Sequence, residues 1–292
     1  MSTLPYWHVD AFANKPFTGN QAAVMPLGGW LPDSTLQRIG EENAFAETAF
    51  TVRDESGAAD WELRWFTPTS EVALCGHATL AAGHVLLERD GGDAITFRTR
   101  KAGILEVRKI DQGYELALPI TTVKEGEYPA LLSALHIDAP LFESVSGAEQ
   151  TTIVLLENEA AVRALEPDMR ALSKIDRMVI CTAPGEETDI VSRVFVPGAG
   201  VPEDSVTGSA HAVLTPFWAE RLGRPDFTAH QASRRGGTLT CRRRTATSIR
   251  RSIGGATRPM SEARTVTRCT SSAAAPAVQV SSDRCGSNPI PA

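Results

Sequence analysis

A helix with no polar face cannot lie on a protein surface, and that rule is the tightest constraint on this chain. After Gly76 the sequence reads His-Ala-Thr-Leu-Ala-Ala-Gly-His-Val-Leu-Leu, and Leu80, Ala81, Ala82, Val85, Leu86 and Leu87 leave it apolar nearly all round. Such a helix is buried on every side. The short strands before and after it are therefore expected to wrap around it. Trp61, Leu63 and Trp65 alternate along a strand that runs into a Pro-Thr-Ser turn at Pro68–Ser70, ahead of Cys75-Gly76-His77-Ala78-Thr79.

The design recurs. Arg193-Val194-Phe195-Val196-Pro197 repeats Arg64-Trp65-Phe66-Thr67-Pro68 at an offset of 193 − 64 = 129. It too leads through a turn-rich loop into a glycine-opened apolar helix, Gly208-Ser209-Ala210-His211-Ala212-Val213-Leu214. One strand–loop–helix unit used twice predicts two related domains that face each other.

The chain has 292 residues, enough for one large or two ordinary domains. No run approaches the roughly eighteen apolar residues of a membrane span, and Met1-Ser2-Thr3-Leu4-Pro5 lacks the regions of a signal peptide. The five cysteines, at 75, 181, 241, 269 and 285, form no C-x-x-C pair. A cytoplasmic location is expected, without structural zinc or a disulfide framework.

The net charge of −6 conceals an asymmetry. Residues 242–292 hold nine Arg against Glu262 and Asp283, a balance of +7, so the preceding 241 residues carry 20 basic and 33 acidic side chains, or −13. An acidic body gives no reason to expect nucleic-acid binding.

Strands are expected at Trp7–Phe12, Gln21–Met25, Glu47–Val52, Trp61–Phe66, Ala94–Arg98, Ile104–Lys109 and Tyr114–Leu118. A helix should start at Pro32-Asp33-Ser34, with Ser34 and Gln37 spaced as a capping box. A linker near Pro119–Tyr128 is followed by a helix over Pro129–Leu135, a strand over Thr151–Leu156 and a helical segment at Ala160–Leu165. Strands at Met178–Thr182 and Asp189–Val196 precede the second buried helix, and Thr228–Thr240 reads as two short strands. After Cys241 there is no Phe, Trp or Tyr and no sustained period, so no core-forming element is expected.

Glu47 is the first candidate for chemistry. Phe45, Ala46, Ala49 and Phe50 flank it, an apolar setting of the kind that raises a carboxyl pKa and suits a group that takes and returns a proton. An exposed charge at a strand start is the plain alternative. His77 follows the helix-opening glycine and is placed to meet a ligand held by the helix N-terminus, or simply to cap and pack locally. His84 reads as a core histidine, His211 as the counterpart of His77 set slightly deeper, and His8 and Asp10 as either cleft or structural groups. Asp204 is an ordinary helix-capping type, or a group that binds a substrate's polar atom. In the functional reading, backbone N–H groups around Gly76–His77 and Gly208–Ser209 hold a carboxylate and stabilise an enolate-like transition state. That arrangement needs neither metal nor cofactor. Cys75 would suggest a two-thiol racemase, but residues 203–211 hold no cysteine, so Cys75 reads as a small buried residue.

Together these stretches resemble the PhzF-like family, named for an isomerase of phenazine biosynthesis and related in fold to diaminopimelate epimerase. The matching segments are Val9–Phe12, Phe17–Asn20, Ala46–Phe50, Arg64–Pro68, Cys75–Thr79 and Glu203–His211. The resemblance implies an α/β (α+β) fold of two similar domains, each a curved sheet or barrel wrapped around a central apolar helix, with the active site in the inter-domain cleft. It implies a homodimer and cofactor-independent proton transfer by Glu47, with His77, Asp204 and Ser209 orienting the substrate. The expected domains are 1–118, 119–241 and an aberrant Arg/Ser/Ala-rich tail over 242–292, either disordered or produced by a shifted reading frame near Cys241.

The function expected is a cofactor-independent isomerase or epimerase acting on a small carboxylate-bearing carbon acid. Glu47 is the acid/base, and Gly76, His77, Asp204, Gly208 and Ser209 bind substrate. The expected partners are a small anionic metabolite and a second copy of the chain, with no nucleic acid and no membrane. The alternatives are a non-catalytic binding or scaffold protein of the same fold, or a non-functional frame-shifted product.

Overall fold

The computed structural model describes residues 3–111, 113–145, 150–246 and 264–272, the last of these as backbone. The first half comprises β1 (Trp7–Ala11), β2 (Asn20–Pro26), α1 (Asp33–Asn43), β3 (Glu47–Arg53), β4 (Trp61–Phe66), β5 (Glu71–Val72), α2 (Gly76–Asp90), β6 (Ala94–Thr99), β7 (Ile104–Ile110) and β8 (Gly113–Pro119). The second comprises β9 (Val123–Gly126), α3 (Pro129–Leu135), β10 (Leu141–Ser144), β11 (Thr151–Leu155), α4 (Glu159–Arg163), α5 (Met169–Leu172), β12 (Met178–Pro184), β13 (Ile190–Val196), β14 (Val201–Asp204), α6 (Gly208–Leu222), β15 (Asp226–Gln231), β16 (Gly237–Ala246) and β17 (Arg264–Ser272).

The pairing pattern is duplicated strand for strand. In the first half β2 runs parallel to β3, β3 antiparallel to β4, β4 parallel to β6, and β6, β7 and β8 follow antiparallel. In the second half β11–β12, β12–β13, β13–β15, β15–β16 and β16–β17 repeat that series of parallel and antiparallel pairings. The short β5 and β14 pair beside β4 and β13. β17 joins the halves, pairing with β16 on one side and β8 on the other.

Each half curves around its helix. Eleven residues of α2 are buried, from Gly76 through Leu87, and eleven of α6, from Gly208 through Ala219. The fold is mixed α+β, as expected. Both helices share one core with Val9, Ala22, Val24, Ala49, Phe97, Leu116, Val194 and Leu239. The opposite sheet faces are covered too: α1 closes a cluster of Met25, Leu36, Phe50 and Phe66, and α3–α5 close another around Leu131, Val179 and Phe195. Ala49 faces the helix and Phe50 the outer cluster, the alternation a strand buried on both faces requires.

The repeated Arg-x-Phe motif has a physical purpose. Arg64 donates from Nε and Nη2 to Glu71 at 2.8 Å each, and Arg193 donates in the same way to Glu203 at 2.7 and 3.0 Å. Each guanidinium lies 5.0 Å from the ring of the phenylalanine two residues on, Phe66 or Phe195. These forks tie β4 to β5 and β13 to β14, and so aim the loops that enter α2 and α6.

Several details differ from expectation. The Ser34–Gln37 capping box does not form: Pro32 precedes α1 without a side-chain cap, and Gln37 Nε2 donates to Thr67 O at 3.0 Å. The expected linker over Pro119–Tyr128 contains β9, which pairs with β10. Beyond Cys241, where no element is expected, β16 continues to Ala246 and β17 forms. β8 and β16 each offer an unpaired edge, and backbone pairing to them needs no hydrophobic period. The rest of the tail lies outside the described residues.

Candidate active site

The two buried helices meet end to end. A Cβ built on Gly76 would lie 3.1 Å from Gly208 Cα, and one on Gly208 would lie 3.2 Å from Gly76 Cα. Any larger residue at either position would push the helix starts apart. Cys75 and Thr207 precede these glycines as N-caps, and neither side chain caps its helix. The first-turn N–H groups of both helices therefore point into one small region, where dipoles and donors favour an anion.

Glu47 enters this region from β3. It is the first residue of the strand, opposite Ala22 of β2, and Asn20 lies two residues before Ala22 on the same face. Glu47 Oε2 and His77 Nε2 are 3.1 Å apart, with side-chain exposures of 17% and 5%. The contact is off the line of a full hydrogen bond, and neither buried atom has another partner among the described residues.

The other imidazole nitrogen is enclosed. His77 Nδ1 lies 3.2 Å from Asn20 Nδ2 and 3.5 Å from Cys75 Sγ. Asn20 Nδ2 also donates across the cleft to Asp204 Oδ1 at 2.8 Å and Val206 O at 2.9 Å. Asp204 further accepts from Ser205 N at 2.9 Å and Thr207 Oγ1 at 2.5 Å. Gln231 completes the framework, accepting from Thr207 N at 2.8 Å and donating to Asp204 O at 2.9 Å.

Burial pushes the Cys75 thiol up to about 11, helped by the Glu47 carboxylate, so the sulfur is protonated at neutral pH. At His77 burial opposes a charge, whereas a Cys75 thiolate and the Glu47 carboxylate together raise the imidazole above its usual range. With Cys75 a neutral thiol at neutral pH, the larger of those two supports is absent there, and Glu47 alone stands against burial. Burial also raises Asp204, against the pull of His77 and with the push of Glu47.

Among the described residues, Glu47, Cys75 and His77 bring donor atoms within 4.8 Å of one another. Cys75 nevertheless faces Nδ1 while Glu47 faces Nε2. One ion cannot bond both nitrogens of a ring, so the trio forms a chain rather than a chelate.

The structure thus brings Glu47, Gly76, His77, Asp204 and Gly208 together, with half-buried Ser209 as the second residue of α6. Ser209, not His211, occupies the place in α6 that His77 holds in α2, because the two helices start at Gly76 and Gly208. His211 lies two residues deeper, like Thr79, and its Nδ1 donates to Thr207 O at 2.7 Å. Burial drives it down to about 4, so it is a neutral core group. His84 stacks edge-on against Tyr114, as a core histidine. His8 stacks on Phe45 and Asp10 pairs with Arg235 at 2.9 Å, both beside the cleft framework. Asn20, Thr207 and Gln231 were not singled out by sequence. The Asn20 signal was an amide directly after a turn glycine at a strand start.

The family model for phenazine biosynthesis-like proteins, PhzC-PhzF, matches residues 9–263. The chain belongs to the PhzC-PhzF family. A relative of this PhzC-PhzF chain in Pseudomonas aeruginosa, named an uncharacterized isomerase, is 48% identical over 243 residues, covering 82% of this chain and 90% of its own. The crystal structure of a PhzF-family phenazine biosynthesis protein from Enterococcus faecalis superposes with a TM-score of 0.77 at 37% identity, covering 92% of this chain and 96% of that one. A Pseudomonas aeruginosa protein described as a predicted epimerase shares the fold, with a TM-score of 0.68 at 19% identity over 95% of this chain and 99% of its own.

Proposed function

We propose that this PhzC-PhzF chain is a cofactor-independent isomerase that relocates a proton on a small, carboxylate-bearing carbon acid, with Glu47 as the acid/base. The observation that carries the reading is the Glu47–His77 pair. Its two facing atoms lack other partners among the described residues and sit where two uncapped helix N-termini converge. The relative named as an isomerase supports the reaction class.

The chemistry follows from the placement. The helix N–H groups hold the substrate carboxylate and the charge that develops on it as the carbon acid loses its proton. Glu47 takes that proton and returns it elsewhere on the same molecule, with His77 sharing the load through Nε2. Among the described residues the second half offers no matching base: Ser209 stands where His77 does, Thr207 where Cys75 does, and Met178 opens β12 as Glu47 opens β3. Asp204, the carboxylate from that half, is engaged by Asn20, Ser205 and Thr207. A one-sided set of acid/base groups favours a shift along one face of the substrate over inversion of a stereocentre.

A cytoplasmic homodimer is part of the same proposal. No helix among the described residues is long and apolar enough to cross a membrane. The test is a screen of small carbon acids for deuterium uptake from heavy water. Wild type should label at least one pool, and Glu47→Gln should slow labelling by about 10²- to 10⁴-fold. A ligand that binds by calorimetry but is never labelled would support the binding-protein alternative instead.

A further inference from the structure

Asn20 is 2% exposed, yet it sits on β2 and reaches groups from both halves of the fold. Its Nδ2 is surrounded by a carboxylate oxygen of Asp204, the carbonyl of Val206 and the Nδ1 of His77. The first two accept hydrogen bonds and take the amide's two N–H groups, which fixes Nδ2 rather than Oδ1 beside His77. A proton on His77 Nδ1 would then face an amide nitrogen that cannot accept it. We propose that Asn20 is a positioning residue that keeps His77 Nδ1 unprotonated, so that the ring's single proton lies on Nε2 and points at Glu47.

The proposal rests on the reading of Glu47 as the base. With Nδ1 as acceptor, the Nε2 proton supports a Glu47 carboxylate that is ready to accept from substrate. A second proton on the ring would tie Glu47 into a strong ion pair and make it a poorer base. The charged or titratable groups facing His77 are Glu47 on the Nε2 side, Cys75 on the Nδ1 side and Asp204 across Asn20. Glu47 favours the doubly protonated ring, and the Asn20 amide opposes it.

The test reads the ring nitrogens of His77 by ¹⁵N NMR in the full-length protein at neutral pH, and needs no substrate. Wild type should show a protonated Nε2 and an unprotonated Nδ1. Asn20→Leu, which fills the space without a donor, should gain a proton on Nδ1 and raise the midpoint of the His77 titration; Asn20→Ala serves as a second variant if packing of the leucine prevents folding. A wild-type ring with Nδ1 protonated would overturn the idea, as would a folded Asn20 variant with the wild-type pattern. The outcome is separable from the proposed function. Glu47→Gln with full exchange activity would remove Glu47 as the base, whereas the nitrogen pattern reports on Asn20 alone.

Discussion

Gly76 and Gly208 touch: neither position has room for a Cβ without crowding the other's Cα, at 3.1 and 3.2 Å. This contact places two helix N-termini, one from each half, against a single ligand-sized region. The glycines are therefore required by approach rather than by backbone conformation, since neither has a positive φ.

Alanine at either glycine should separate the helix starts. The obstruction is backbone, which cannot rotate away as a side chain can, and overpacking of this kind costs about 1–3 kcal/mol. A displacement near 1 Å at a reacting centre costs roughly a hundredfold in rate, and the few tenths of an ångström needed here cost less. Gly76→Ala and Gly208→Ala are each expected to lower exchange activity several-fold while the protein stays folded. Gly28→Ala, where an added Cβ meets nothing within 4 Å, should change neither. Full activity in both helix variants would remove the converging N-termini from the mechanism.

His211 gives the fold an acid-sensitive core. Burial lowers it to about 4, against about 6.5 in an unfolded chain. Below the unfolded value the unfolded chain gains a proton that the folded one refuses. Stability is therefore intact above about pH 6.5 and falls as the pH drops towards 4, by about 3 kcal/mol in total for such a shift. Denaturation at a series of pH values should show the slope, and His211→Asn, which keeps a donor for Thr207 O, should flatten it. An unchanged slope in that variant would assign the acid sensitivity to other groups.

The duplicated forks should be worth far more than their exposed neighbours. Arg64 is 2% exposed, and Glu71→Gln would leave its guanidinium with Asp33 as the remaining carboxylate partner. Removing one member of a buried pair costs about 3–5 kcal/mol, and retention of Asp33 puts the expected loss near the lower end. Arg100 also touches Glu71 but is 53% exposed, and Arg100→Ala should cost less than about 1 kcal/mol. Urea titrations would separate the two, and equal losses would contradict a special structural role for the fork.

The elements that sequence reveals are those whose own residues carry the pattern. The all-round apolar runs after Gly76 and Gly208 demand burial, and the repeat of Arg64–Phe66 at Arg193–Phe195 exposes the duplication directly. β5, β9, β10 and β14 have two to four residues each, too few to show a period, and exist because neighbouring edges hold them. β17 is legible only from topology, since it fills the gap between β8 and β16. At the site, Glu47 and His77 stand out by residue type and position. The role of Asn20 does not, because its three partners lie 57, 184 and 186 residues away. His211 shows the opposite failure: a histidine near a helix start resembles His77 in one dimension, while helical register sends it into the core.

The most direct test of Glu47 as the proton-transfer group is the stereochemistry and rate of deuterium transfer with a substrate found in the exchange screen. Wild type in heavy water is expected to deliver deuterium to one face of the product, and Glu47→Gln to do so at least a hundredfold more slowly with its fold intact. Exchange by a folded Glu47→Gln variant at the wild-type rate would contradict the central claim.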